Sequence, residues 1–151
     1  MQKRKYLLSQ YRDNDPLLTH RFLLEIDGIN VGGFTEVTGL SVETEVETIR
    51  EGGLNSHEHK LPKGIKYTNL SLKRGIGYTT LLWDWYQETV KGNFERKNGT
   101  IYIVDEVGDY GLGWNFMEAL PVKWDGPALS ATANAVAIET LTLIHNGIQK
   151  V

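Results

Sequence analysis

His57 and His59 stand two positions apart within EGGLNSHEHKLPKG, residues 51–64. On an extended chain, positions i and i+2 point the same way, so the two imidazoles would make half of a metal site. Glu58 would point away from both on such a chain, and neither His20 nor His145 has a recognisable ligand spacing to the pair. The expectation is two solvated histidines in a polar loop, with no metal and no cofactor. A metal-assisted hydrolase using His57 and His59 is the alternative.

Glu43, Glu45 and Glu47 alternate along one face of LSVETEVETIRE. Carboxylates at i and i+2 on a strand lie roughly 6.5–7 Å apart. A retaining glycosidase needs a pair about 5–5.5 Å apart across its substrate, usually from different elements. The stripe therefore reads as an acidic, wetted sheet face. The chain has no cysteine, which removes disulfides, zinc–thiolate sites and a thiol nucleophile. No Gly-x-Ser-x-Gly elbow, His-Glu-x-x-His pair or phosphate-binding glycine loop occurs. No catalytic residue is assigned, and the chain is not expected to be an enzyme. Trp83, Trp85, Trp114 and Trp124 are expected to pack; the competing reading has them lining the pocket of a small ligand-binding β-barrel.

The elements that must carry these residues are mostly strands. The chain has 151 residues, enough for one domain with a proper core. Phe22, Leu24 and Ile26 alternate ahead of an Asp27-Gly28 hairpin turn into NVGGFTEV, where Gly32-Gly33 suggests a bulge or close backbone approach. In the next strand Leu40, Val42, Thr44, Val46 and Thr48 share the face opposite the glutamates. Residues 51–64 read as a long loop and IKYTNLSLKRG as a further strand. Leu82, Trp85, Tyr86, Thr89 and Val90 follow helical spacing, with Thr79 or Thr80 as cap and Lys91-Gly92 as stop. TIYIVDE, LGWNFMEA, PVKWDG and NAVAIETLTLIHNG return to strands. The expected class is mainly β: an antiparallel β-barrel or sandwich with one flanking α-helix.

A net charge of −3 argues against nucleic acid as the main partner. No apolar run reaches the roughly 18 residues of a membrane span, so no stable membrane association is expected. Lys3, Arg4 and Lys5 are followed only by Leu7 and Leu8 as an apolar pair, too short for a signal-peptide core. Synthesis and folding in the cytoplasm are expected.

Taken in order, HRFLLEIDG, GFTEVTGLSVETEV, REGG with its loop to LPKG, LSLKRG, the LWDW helix start and LPVKWDGPALSATANAVAIETLTLIHNG form a series. It resembles the tail tube protein family of contractile phages and contractile injection systems, over about residues 18–148. Residues 1–17 precede the resemblance and read as a polar N-terminal arm, and the resemblance implies 18–151 as a tail-tube-like β-barrel domain. It implies a structural subunit of the inner tube, made in the cytoplasm and carried in a phage tail or tail-like particle that is released. Hexameric rings of this chain would stack into a hollow conduit for cargo or DNA, which passes without specific binding. Sheath and baseplate proteins would be partners; a tube-initiator or baseplate-adaptor role in the same particle is the alternative. The long loop would make the ring-to-ring contact through Gly52, Gly53, Leu54, Asn55, Ser56, His57, Glu58, His59 and Lys60. Glu43, Glu45 and Glu47 would then be candidates to face the lumen.

Overall fold

The computed structural model describes residues 21–50, 52, 58–77, 80–105 and 107–151. The proposed arm, residues 1–17, lies outside them. In chain order the elements are β1 (Phe22–Ile26), β2 (Ile29–Val31), β3 (Phe34–Thr38), β4 (Val42–Arg50), β5 (Glu58–Tyr67) and β6 (Leu70–Gly75). The helix α1 (Leu81–Val90) follows, then β7 (Lys97–Val104), β8 (Tyr110–Asp125), β9 (Ile138–Ile144) and β10 (Gly147–Lys150).

Eight strands make one antiparallel sheet in the order β2-β1-β7-β8-β9-β6-β3, with β10 also pairing β8. Its edge strands β2 and β3 are consecutive in sequence, separated only by Gly32 and Gly33. The sheet therefore curls until its edges are neighbours, but no ladder joins them, so the expected barrel is not closed. Gly33, at φ +83°, turns the chain from one edge to the other instead of forming a bulge within one strand. The two-residue turn between β1 and β2 has φ +52° at Asp27 and +76° at Gly28, the twist-matched turn of a tight hairpin.

Inward parity builds the core. Leu70 and Leu72 of β6 pair with Leu143 and Leu141 of β9, and all four are fully buried. Leu24, Ile101 and Phe116 supply the β1, β7 and β8 layers. Gly99 is required beneath Phe116: a Cβ there would lie 2.1 Å from the ring. The helix buries Leu82 and Trp85 against this core, while Val90 stays exposed. Thr80 is its N-cap residue, though its hydroxyl bonds to Asp84 Oδ2 at 2.9 Å instead of capping the backbone. Gly92, at φ +93°, follows the last turn.

Three boundaries differ from the sequence expectation. LGWNFMEA and PVKWDG are one strand, β8, because Pro121 falls at a register shift where its missing N–H is tolerated. IKYTNLSLKRG divides between β5 and β6 at Thr68 and Asn69. NAVAIETLTLIHNG reduces to β9 before the turn at Asn146, where Asn146 N–H donates to the Met117 carbonyl at 2.9 Å.

Candidate assembly surfaces

β4 and β5 form a separate two-stranded ribbon. The chain leaves the main sheet after Thr38 and returns at Leu70, so the ribbon stands on residues 39–41 and 68–69. This base is tightly made. Gly39 has φ +97°, and a Cβ there would fall 2.0 Å from the Asn69 carbonyl oxygen. Ser41 N–H donates to the Gly39 carbonyl at 2.8 Å. His145 Nε2 donates to the Thr68 carbonyl at 2.9 Å, and its ring packs tilted against Tyr67 with centroids 5.5 Å apart.

The expected loop over residues 51–64 is corrected here. Glu58–Tyr67 is strand β5, and the connection shortens to residues 51–57. Leu-Pro-Lys-Gly, residues 61–64, has the composition of a turn. Instead Pro62 faces Val46 and Gly64 faces Glu45, so Lys63 is an extra residue bulged from β5. An edge strand at a bulge accepts a proline because no ladder donor is lost there. Of the expected ring-contact residues, Gly52 is exposed in the connection, and Glu58, His59 and Lys60 lie on β5. Gly53, Leu54, Asn55, Ser56 and His57 lie outside the described residues.

Register assigns the ribbon two different faces. Glu43, Glu45 and Glu47 stand opposite Lys66, Gly64 and Leu61, with Ile49 opposite His59 beyond them. On the other face Val42, Thr44 and Val46 stand opposite Tyr67, Ile65 and Pro62. At the far end Arg50 and Glu58 form an ion pair at 3.3 Å. Every β4 residue is exposed. Val42, Val46 and Ile65 are 61%, 55% and 63% exposed, an apolar face that nothing among the described residues covers. Neither ribbon edge has a strand partner among the described residues.

The possible chemistry does not converge. Among the described residues, no three His, Asp or Glu side chains gather where they could hold a metal ion. The four tryptophans divide between places. Trp83 meets Trp124 edge-on at 4.5 Å, Trp85 is buried with its Nε1 donating to the Glu95 carbonyl at 2.9 Å, and Trp114 lies by Leu40 and Val42 near the ribbon base. A buried ion pair that sequence reading missed is present instead: Arg74 Nε donates to Glu139 Oε1 at 2.7 Å, and Trp124 Nε1 donates to Glu139 Oε2 at 2.9 Å. Its signal was available, since Arg74 continues the parity of Leu70 and Leu72, and Glu139 that of Leu141 and Leu143.

Comparison with known proteins gives a consistent picture. A family model described as T4-like virus tail tube protein gp19 matches residues 18–149. A chain in the anti-feeding prophage baseplate structure, 6-fold symmetrised, is 28% identical with a TM-score of 0.82, covering 91% of this chain and 96% of that one. A chain in the sheath–tube complex of the PVC extracellular contractile injection system is 26% identical with a TM-score of 0.86, covering 95% and 97%. Hcp1 from Flavobacterium johnsoniae, at 18% identity and a TM-score of 0.60 with 86% and 94% covered, shares the fold. Comparison with curated protein sequences finds no significant match.

Proposed function

The chain belongs to the T4-like virus tail tube protein gp19 family, a structural family of tail components, and we propose that it is the repeated subunit of the inner tube of a contractile injection device. It closes into hexameric rings that stack into a hollow conduit for cargo or DNA. The observation that carries this reading is the uncovered β4–β5 ribbon. A two-stranded ribbon is marginal in water by itself, and free strand edges invite pairing with another chain. Here β4 carries Glu43, Glu45 and Glu47, while β5 carries Lys60, Lys63 and Lys66. Head-to-tail pairing of copies lays the basic strand of one beside the acidic strand of the next. Such a heterologous contact makes a ring when its rotation closes.

The two ribbon faces then take different surroundings. The Val42, Val46 and Ile65 face turns toward protein, and the Glu43, Glu45 and Glu47 face toward the lumen. Sixfold repetition makes that lumen an acidic, wet wall that does not hold acidic cargo or nucleic acid. The ribbon tip, residues 52–60, reaches the adjacent ring. The relatives support the partners: one comes from a sheath–tube complex and another from a baseplate structure. The subunit is made in the cytoplasm and leaves the cell within the particle. No described helix is long and apolar enough to cross a membrane.

The baseplate relative favours one second reading, a tube–baseplate adaptor in the same particle. Electron microscopy of the purified full-length protein separates the two. A repeated subunit gives six-membered rings that extend into tubes at high concentration. An adaptor gives rings that stop at one or two layers, and a strictly monomeric protein refutes both.

A further inference from the structure

A groove of about 250 Å³ lies between α1 and the β1–β2 turn, away from the ribbon. Its floor is apolar, made by Ile26, Val31, Leu82 and Trp85. Its rim carries the carboxylates of Asp27, Asp84, Glu88 and Glu95, with Lys97 as the one cation on the lining. Lys97 Nζ lies 3.3 Å from both Asp27 Oδ2 and Glu95 Oε1, and 5.8 Å from the centre of the Trp85 ring. Lys91, outside the lining, reaches Glu88 at 3.5 Å. The Asn93 amide, and then the Lys91 ammonium, hold the Glu88 carboxyl below the usual carboxylate range. Four carboxylates against these two ammonium groups leave the rim negative. An apolar floor under a negative rim fits a short segment in which cations adjoin apolar side chains.

The chain contains one such segment. Lys3-Arg4-Lys5 is its only run of three consecutive cations, and Tyr6, Leu7 and Leu8 follow directly. We infer that residues 3–8 seat in the groove of their own chain, with Leu7 and Leu8 on the apolar floor and the three cations on the carboxylate rim. Reach permits it. β1 runs from Phe22 toward the groove at Ile26, a return distance of roughly 13 Å at strand rise. The thirteen residue steps from Leu8 to Arg21 span up to about 45 Å when extended. A short tether also holds the segment at about millimolar effective concentration, which favours its own groove over a second copy's.

The absence of cysteine makes the test clean, because an introduced pair can form only one intrachain disulfide. Leu81 lines the groove and is exposed. In the full-length protein, Leu7→Cys or Leu8→Cys is combined with Leu81→Cys, and disulfide formation is followed under mild oxidation by non-reducing electrophoresis and peptide mass. The expected product is an intrachain disulfide in at least one of the two pairs. Adding Lys3→Glu, Arg4→Glu and Lys5→Glu should slow its formation about tenfold, and Glu88→Lys with Glu95→Lys in that background should restore it. A disulfide formed only between chains would assign the groove to a second copy and overturn the inference. So would free thiols in both pairs, or a rate indifferent to the charge reversal, with circular dichroism confirming the fold in each variant.

Discussion

Arg74 and Glu139 face each other across β6 and β9 at 2.7 Å, where two leucine pairs precede them on the same inward face. Only 3% and 5% of their surfaces are exposed. The pair thus occupies the third layer of a core whose first two layers are Leu70–Leu143 and Leu72–Leu141. Burying two charges is costly, and the geometry must compensate through hydrogen bonds. Trp124 supplies one to the second oxygen of Glu139. The guanidinium also lies 6.0 Å from the centre of the Phe34 ring, so the layer runs from β3 through β6 and β9 to β8.

Glu139→Leu alone is therefore expected to destabilise the monomer by about 3–5 kcal/mol, because it removes the carboxylate that faces the buried Arg74 charge at 2.7 Å. The double variant Arg74→Met with Glu139→Leu should recover most of that loss. Urea denaturation of the three proteins checks this, and a double variant no more stable than the single one would show that the pair itself stabilises the fold.

Gly39→Ala tests the ribbon base. The substitution places a methyl group against the Asn69 carbonyl at a backbone angle that disfavours side chains. A loss of about 1–3 kcal/mol is expected, together with faster amide exchange in β4 and β5 than in β6 and β9. Uniform exchange across both sheets would mean that the base does not hold the ribbon.

Ile65→Asp tests what the apolar ribbon face does. In the monomer this residue is solvent-exposed, so thermal stability should change by no more than about 0.5 kcal/mol. Ring formation should be lost, since the charge would be buried between copies. Sedimentation and circular dichroism on the same sample read the two effects separately. Normal rings from this variant would place the face outside the lateral contact.

The long β-rich pattern, the single helix and its buried stripe were legible because alternation and helical spacing are local properties. Leu24, Ile26, Leu82 and Trp85 were identifiable in this way. The ribbon was only half legible. Its acidic strand was clear, but Pro62 and Gly64 imitate a turn, and only pairing with β4 shows that they belong to a bulged strand. The split at Thr68 and Asn69 was equally hidden, since it depends on Gly39 and His145, distant in sequence. Arg74 and Glu139 were overlooked because charge suggests exposure, although their parity with the leucines indicated burial.

Deleting residues 53–57 should leave both the monomer fold and the rings intact, because every described strand is kept. Tubes should be lost. Leu54→Asp is the milder version and should shorten tubes without changing the number of subunits in each ring. Circular dichroism with negative-stain imaging distinguishes these outcomes, and full-length tubes from the deletion would remove the tip from ring-to-ring contact.

The central claim is that the uncovered β4–β5 ribbon closes a ring by laying its basic strand beside the acidic strand of the next copy. Charge reversal measures this most directly. Glu43→Lys, Glu45→Lys and Glu47→Lys in one protein, and Lys60→Glu, Lys63→Glu and Lys66→Glu in another, should each leave a folded monomer that forms no ring alone. Mixed in equal amounts, both junctions become attractive, basic β5 beside acidic β4 and acidic β5 beside basic β4, so the mixture should give six-membered rings in which the two proteins alternate. Combining all six changes in one chain should restore six-membered rings by electron microscopy. Rings from either triple variant alone, or none from the sixfold variant despite a native circular dichroism spectrum, would contradict the account.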